Sequence, residues 1–427
     1  MSNRFGFATV VAALLVIGIG AATPANAQAP ECAGKNAKIS KKISKPMDAA
    51  IDALKAQKWQ EVLDKAAEAE ADPSPKNLYD TYWIHNLKGK AHTGLKQYKE
   101  ATQEFEQIKD TPCMNDLERG EFLKLITKIY YQLDDHPKVI EHGTKALEMT
   151  GDPDLPLYLG QAYYLMKDYP NSRKVMEGVV AKLEEQGKPP GEQNLRLIHG
   201  ACRSMGDDAC ETAQFEKLVK YYPKPEYWQN LVNTLFNDKK STDKQQLHVM
   251  RLATHVGAVS EPLKFEECAQ IAIALGLPGE AQSLLEEAFN KKLIVDARQS
   301  ERDKKLLAEA KAAAAGDKAT LAQQETSARA NAAGNADVKL GAAYLSYGDN
   351  AKAIEALQRG ISKGSVRDPD EAGMLLGIAQ LRAGNKDEAV KAFNTVKVDP
   401  TMTRIAKLWV LTTGAGGPQA TAAAGSK

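Results

Sequence analysis

The five cysteines are the residues of this chain whose types and spacing most directly predict chemistry. Cys202 and Cys210 flank a Met-Gly-Asp-Asp turn, so they are expected to project from adjacent helices near the closed end of a hairpin and to form a disulfide. Cys32 and Cys113 are a second candidate pair, which would tie an N-terminal extension to the second hairpin. Cys268 is left over, and we expect it to be a buried free thiol.

Metal binding is the alternative for the same residues. His199 and Cys202 lie three positions apart, on one face of a predicted helix, and Cys210 follows closely. Zinc usually takes four protein ligands in structural sites, and no fourth ligand is evident. We therefore predict no metal site and no cofactor.

Catalytic motifs give little support to an enzyme. We find neither an H-E-x-x-H helix nor a phosphate-binding loop, and we expect no nucleophile elbow of the G-x-S-x-G type. Adjacent acids such as Glu184 and Glu185 point in different directions on a helix, which is typical of a solvated face. A site assembled from distant residues stays open as an alternative, because it leaves no local motif.

A repeated pattern predicts the elements that would position these side chains. A small residue within an amphipathic stretch is followed by a turn such as Gly-Asp, then by another small residue and a large apolar one. Gly341 and Gly377 mark the two clearest copies and lie 36 positions apart, the length of a helical hairpin with its connection. Nine positions of this kind can be traced: Ala50, Gly89, Thr127, Gly160, His199, Val232, Ala269, Gly341 and Gly377. The interval from Ala269 to Gly341 is twice the period, which indicates one degenerate unit.

Close packing explains why the pattern needs a small and a large residue. Two antiparallel helices approach closely where one offers a small side chain and a large one fills the neighbouring groove. The second helices carry such pairs at Ala101 and Phe105, Ser172 and Met176, Ala281 and Leu285, Ala353 and Leu357, and Ala389 and Phe393.

These residues resemble the tetratricopeptide repeat family over about residues 45 to 400. The matching positions are Leu159-Gly160 with Tyr163, Gly89 with Tyr98 and Ala101, Leu340-Gly341 with Tyr344 and Ala353, and Pro223. The resemblance implies an all-α fold, a tetratricopeptide-type α-solenoid of about nine to ten helical hairpins. The run from Tyr221 to Trp228 is also similar to exported proteobacterial repeat proteins, which implies an association with envelope energy transduction of the TonB type.

The repeat register also predicts a binding groove. In a solenoid of such hairpins the first helices line the concave side, and groove residues lie one after, four after and three before each small marker. Basic and amide side chains at these positions could hold carboxylates, and aromatic ones supply apolar area. The candidate groove residues are Asn86, Lys90, Lys124, Lys128, Tyr131, Gln161, Tyr164, Arg196, Arg203, Asn233 and Phe236.

The N-terminus predicts export. An apolar run follows Arg4 and ends in small residues at Ala25 and Ala27, which is typical of a signal peptide cleaved after Ala27. An uncleaved anchor is the alternative, although glycines and a proline interrupt the run. Loss of Arg4 leaves 55 acidic and as many basic residues, and this balance argues against nucleic-acid binding.

The predicted organisation has six parts. Between residues 296 and 335 the composition changes to Ala, Lys, Glu and Gln, and we predict two polar helices that bridge the repeats, with a disordered linker as the alternative. The parts are 1–27 signal peptide, 28–45 N-terminal extension, 46–295 N-terminal repeat array, 296–335 bridging helices, 336–413 C-terminal repeat pair with a capping helix, and 414–427 flexible tail.

These observations together predict a non-enzymatic periplasmic scaffold. It would bind a peptide or protein segment in its concave groove, with an acidic segment or a C-terminal carboxylate suiting the basic side chains. No nucleic acid and no membrane-spanning segment of the mature chain is expected. The alternative is a structural component that forms oligomers through its convex face or its bridging helices.

Overall fold

The computed structural model describes Cys32, residues 37–259 and residues 261–414, and it is all-α over this part of the chain. The predicted signal peptide and nearly all of the predicted tail lie outside the described residues. The described part divides into a first unit, up to Val175, and a second unit, from Met176.

Seven hairpins precede the bridging segment. Their helices are α1 (Ser44–Lys55) with α2 (Trp59–Ala71), α3 (Leu78–Gly94) with α4 (Tyr98–Glu106), α5 (Asp116–Gln132) with α6 (His136–Thr150), α7 (Leu155–Leu165) with α8 (Tyr169–Glu185), α9 (Glu192–Met205) with α10 (Asp208–Tyr221), α11 (Pro225–Phe236) with α12 (Asp243–His255), and α13 (Pro262–Ala274) with α14 (Pro278–Asn290).

Two further hairpins follow the bridging segment and end in a single helix. The remaining helices are α15 (Ala297–Ala330), α16 (Asn335–Ser346) with α17 (Asn350–Lys363), α18 (Pro369–Arg382) with α19 (Lys386–Phe393), and α20 (Pro400–Thr412). The described residues therefore contain nine hairpins, and the predicted solenoid of helical hairpins is confirmed.

The bridging segment differs from the prediction, because it forms one helix and not two. Gly316 lies inside the 34-residue helix α15 without interrupting it. A glycine in a helix costs about 1 kcal/mol relative to alanine, and the surrounding alanines favour helix enough to offset that penalty. Ala310, Ala314 and Ala328 are buried, so packing also holds the helix together.

Glycines on the first helices set the distance between the two helices of a hairpin, as the sequence pattern predicts. A Cβ atom on Gly89 would overlap the Phe105 ring, and one on Gly377 would overlap the Phe393 ring. Both phenylalanines are buried, at 0% and 1% exposure. The missing side chain therefore makes room for the aromatic ring of the second helix.

Hairpin turns use the left-handed backbone region, but with different residues in different parts of the chain. Gly348, in the turn between α16 and α17, has φ of 74°, whereas Lys96, in the turn between α3 and α4, has φ of 61°. A residue with a Cβ is strained there and glycine is not. The Gly-Asp turn of the sequence pattern thus describes the C-terminal hairpins better than the N-terminal ones.

A matched pair of alanine substitutions tests this packing. Gly377→Ala is expected to lower the free energy of unfolding by about 1–3 kcal/mol, because the new methyl group overlaps the Phe393 ring. Gly316→Ala is expected to raise it by about 1 kcal/mol, because a Cβ there meets no described atom within 4 Å and alanine favours helix. Urea unfolding of both variants measures the difference, and equal effects would contradict the packing argument.

The second unit contains contacts between hairpins that are not neighbours in sequence. The Lys244 Nζ lies 2.6 Å from Asp368 Oδ2, and Gln245 donates to Asp399 at 2.8 Å. These contacts bring α12 against the start of α18 and of α20, while α20 also packs on α10 and α19. A simple solenoid packs each hairpin only on its neighbours, so the second unit is more closed than the repeat pattern alone predicts.

Candidate functional site

Seven of the eleven predicted groove residues lie in the first unit, on the first helices of three successive hairpins. Residues of α5 and α7 meet there: the Tyr131 hydroxyl donates to Gln161 Oε1 at 2.6 Å, and the Tyr131 ring packs edge-on against Tyr158 at 5.0 Å between centroids. The Lys128 Nζ lies 5.9 Å from the centroid of the Tyr158 ring. The structure therefore assembles an aromatic and basic surface across the two helices.

Lys124 is held in place by acids of its own unit. Its Nζ lies 2.7 Å from Asp152 Oδ2 and 2.9 Å from Glu121 Oε2. Burial alone would lower the pKa of the Lys124 ammonium, but the hydrogen bonds to these two carboxylates raise it. The Lys124 charge is thus already compensated, and it offers a ligand less than the sequence suggests.

Lys90 differs from Lys124, because no described residue compensates its charge. Burial lowers the pKa of its ammonium, and no carboxylate among the described residues forms an ion pair with it. One turn earlier on the same face of α3 lies Asn86, which is 4% exposed. Its Nδ2 donates to the Tyr82 hydroxyl at 3.1 Å, while its Oδ1 has no hydrogen-bond partner within the described part of the chain.

An unpaired buried acceptor and a partly desolvated cation both lower stability unless something compensates them. Asn86 Oδ1 can accept a hydrogen bond from an N–H group, and the Lys90 ammonium can donate to a carbonyl or carboxylate oxygen. An extended peptide backbone with an acidic side chain or terminus supplies both kinds of atom.

Four predicted groove residues lie in the second unit. Arg196 and Arg203 are exposed on α9, and Arg196 is one of the charges near Glu192. Asn233 is half-buried on α11, and Phe236 is 5% exposed with the Lys264 Nζ 5.6 Å from its ring centroid. Phe236 therefore presents little apolar area, while the two arginines are accessible.

The cysteines follow the predicted pairing. Cys32 is bonded to Cys113 and Cys202 to Cys210, with Cα–Cα distances of 5.0 Å and 5.7 Å. Cys268 is free and buried, and burial raises the pKa of its thiol to about 12. Both predicted disulfides and the predicted free thiol are confirmed.

The residues that could have bound zinc have other partners in the structure. The His199 Nε2 lies 3.0 Å from Glu211 Oε1, and its ring packs against Phe215 at 4.4 Å. Burial lowers the pKa of the His199 imidazole, although Glu211 acts in the other direction. Among the residues that the structure describes, no group of three or more His, Cys, Asp or Glu side chains could hold a metal ion.

One expectation about motifs was wrong as stated. The letters G-x-S-x-G do occur, from Gly360 to Gly364. A nucleophile elbow places its serine on a sharp turn between a strand and a helix, whereas Ser362 is exposed in the last turn of α17 and no strand occurs in the described ranges. The motif therefore has the letters of an elbow without its geometry.

Sequence reasoning missed Tyr158 and Asp152, which complete the surface of the first unit. Tyr158 lies two positions before the Gly160 marker, and Asp152 lies in the connection between two hairpins. Neither therefore occupies one of the three positions, relative to a marker, that define the predicted groove. The Asp-Pro-Asp composition of that connection was the available signal.

None of the helices within residues 37–259 and 261–414 is long and apolar enough to cross a membrane.

Comparison with known proteins gives one family match and several similar structures. Residues 371–399 match the tetratricopeptide repeat family. No curated protein matches the chain. A tetratricopeptide repeat protein from Parabacteroides merdae is 10% identical, with 87% of this chain and 99% of that chain covered and a TM-score of 0.31.

Two other solved structures are similar at comparable levels. The C-terminal part of a TPR repeat-containing protein from Cytophaga hutchinsonii is 12% identical, covering 82% of this chain and 100% of that chain, with a TM-score of 0.34. The TPR2AB domain of yeast Sti1, solved as a complex with pHSP90, is 15% identical, covering 69% of this chain and 98% of that chain, with a TM-score of 0.24.

Proposed function

We propose that this chain, a tetratricopeptide repeat protein, is a non-enzymatic scaffold whose first unit binds an extended acidic segment of a partner protein. Helical repeats of this type present long surfaces on which a protein segment can lie. The observation that carries the proposal is the pair on α3: a desolvated Lys90 without an ion-pair partner in the described chain, and the unpaired Asn86 Oδ1 one turn away.

The partner is defined by the chemistry of this surface. Lys90 and Lys128 attract a carboxylate, either of an Asp or Glu side chain or of a C-terminus, and Asn86 Oδ1 accepts a backbone N–H. Tyr131 and Tyr158 offer ring faces and edges to an apolar side chain of the same segment. An acidic segment interrupted by an apolar residue therefore fits better than a uniformly acidic one.

The proposed location is the periplasm, after removal of residues 1–27. Two disulfides support it, because such bonds persist in oxidising compartments and are rare in the cytosol. The proposed setting is envelope assembly or energy transduction, which the resemblance of the sequence implies.

Charge reversal on the first helices tests the binding surface. In Lys90→Glu with Lys128→Glu, affinity for acidic peptides is expected to fall by about 100-fold, because each reversal replaces an attraction of about 0.7 kcal/mol by a similar repulsion, and the two changes add to about 2.8 kcal/mol. Fluorescence anisotropy with labelled peptides that end in a free or an amidated acidic residue measures it.

The matched control reverses two exposed lysines on second helices, Lys99→Glu with Lys145→Glu. It makes the same change in net charge, so a general electrostatic effect would weaken binding equally in both double variants and would count against the groove. A loss of peptide affinity confined to the variant of Lys90 and Lys128 supports binding in the groove.

A further inference from the structure

A cavity of about 210 Å³ lies within the second unit, and none of the predicted groove residues lines it. It is lined by residues of α12, α14 and α18, by the end of α16 and by the turn between α16 and α17. Two arginines, Arg251 and Arg382, contribute to the lining, together with Glu280 and Glu287.

The guanidinium of Arg251 already has partners among its neighbours. Arg251 is 4% exposed, and its Nε and Nη2 donate to the two oxygens of Glu280 at 2.7 and 2.6 Å. Its Nη1 lies 3.2 Å from the His248 Nδ1. This bidentate pair is neutral as a unit and forms a rigid side of the cavity.

The second arginine has no such partner. Arg382, at the end of α18, forms no ion pair with any described residue. Partial burial and the nearby Arg251 charge lower the pKa of its guanidinium, against the attraction of Glu280. Its side chain keeps access to solvent, so it lies where a molecule entering the cavity would meet it.

The other charged and polar groups do not compensate Arg382. The Glu287 Oε1 lies 2.6 Å from the Lys291 Nζ. Thr254 and Ser346 donate to the carbonyls of Arg251 and Ala343, at 3.1 and 2.8 Å. The Ser283 hydroxyl has no hydrogen-bond partner among the described residues, so one cation and one free hydroxyl face the cavity.

We propose that this cavity binds a single carboxylate group, with Arg382 as its bidentate partner and Ser283 as an additional donor. A guanidinium and a carboxylate match in shape and form two parallel hydrogen bonds. The two acids of the lining are already paired, Glu280 with Arg251 and Glu287 with Lys291, so the charge of Arg382 is left to attract the carboxylate. Leu284 and Leu345 of the lining take a short aliphatic chain. The site is separate from the peptide surface of the first unit.

Binding of butyrate to the full-length protein tests the proposal. We expect saturable changes in isothermal titration calorimetry with butyrate and none with the neutral isostere butyramide. In Arg382→Gln the butyrate affinity is expected to fall by about tenfold or more, because the bidentate contact is lost. Arg367→Gln is the matched control, since Arg367 is exposed just before the start of α18 and does not line the cavity.

The source of the carboxylate is distinguished by a second probe. N-acetyl-Ala-Glu-Ala-amide carries the same group on a side chain. Binding of this peptide in preference to butyrate, with the same loss in Arg382→Gln, assigns the site to a protein ligand, and the reverse preference assigns it to a free acid. Equal binding of butyrate and butyramide, or equal affinity in wild type and Arg382→Gln, overturns the proposal. Unchanged thermal unfolding and circular dichroism confirm that the variant is folded.

Discussion

Replacing Cys32 and Cys113 by alanine is expected to lower the free energy of unfolding of the first unit by about 4 kcal/mol. The bond joins residues 81 positions apart, and in the chain-entropy model such a long loop restricts the unfolded chain strongly. Both cysteines are buried, at 0% and 3% exposure, so the bond also fixes Cys32 to the connection before α5. Hydrogen exchange of peptides from α3 to α6, measured in increasing urea, reports this change.

The Cys202–Cys210 bond is the matched control for that result. Its cysteines are only 8 positions apart, and the same model predicts a loss of about 2.5 kcal/mol on its removal. The effect should appear in α9 and α10 and leave the first unit unchanged. Equal losses for the two bonds would show that loop length is not the origin of the stabilisation.

Replacing Asp303 by asparagine is expected to stabilise the protein above about pH 6 and not at pH 4. Asp303 is 0% exposed on α15, and neither of its carboxylate oxygens has a hydrogen-bond partner in the described structure. Burial, with the charge of Glu266 on α13, raises the pKa of Asp303 from 3.8 to about 6. Arg302, which lies 3.3 Å from Glu266, acts in the opposite direction.

The direction of this pH dependence follows from the protons bound by the folded and unfolded states. The folded state holds the Asp303 proton up to about pH 6, while the unfolded state releases it near pH 3.8. The free energy of unfolding therefore falls as pH rises between these values, by about 3 kcal/mol in total for this carboxyl group. Asp303→Asn removes this dependence. Urea unfolding at pH 4, 5, 6 and 8 measures it.

Glu309→Gln serves as the control, because Glu309 is an exposed acid of the same helix. It should change the unfolding curves little at any of these pH values. If Asp303→Asn and wild type show parallel stability from pH 4 to 8, Asp303 is not protonated in the folded protein.

The hairpins could be predicted from the sequence because their period depends on local packing. Gly341 and Gly377 are followed by Leu357 and Phe393 at the same spacing, and the structure places each pair in contact. Even where the marker is His199 or Val232, the hairpin forms. Helix packing tolerates a weak marker, because the apolar face of the whole helix determines its burial.

The closed arrangement of the second unit could not be read in the same way. It depends on single contacts between residues far apart in sequence, such as Lys244 with Asp368 and His248 with Glu371. Ion pairs of this kind leave no periodic signal. The cavity beside Arg382 arises from the same long-range packing and was missed for that reason.

The groove shows a similar limit. Tyr131 and Gln161, which the register puts at groove positions of successive repeats, are joined by a hydrogen bond between their helices, because position on a helix follows from spacing. The register could not separate Lys124 from Lys90, since the difference lies in whether Asp152 is near. The composition of a surface is therefore predictable where the pairing of its charges is not.

The uninterrupted helix α15 restricts how the length of this chain can change during evolution. Along its length Lys311 meets Glu286 at 3.0 Å, Asp317 meets the Tyr347 hydroxyl at 2.6 Å, and Glu325 meets the Tyr344 hydroxyl at 2.8 Å. A helix turns by about 100° per residue, so insertion of a single residue between them would rotate one contact away while the others stay. Insertions or deletions of about seven residues, close to two full turns, preserve the common face. Variation in this segment should therefore occur in steps of whole turns, unlike in a flexible linker.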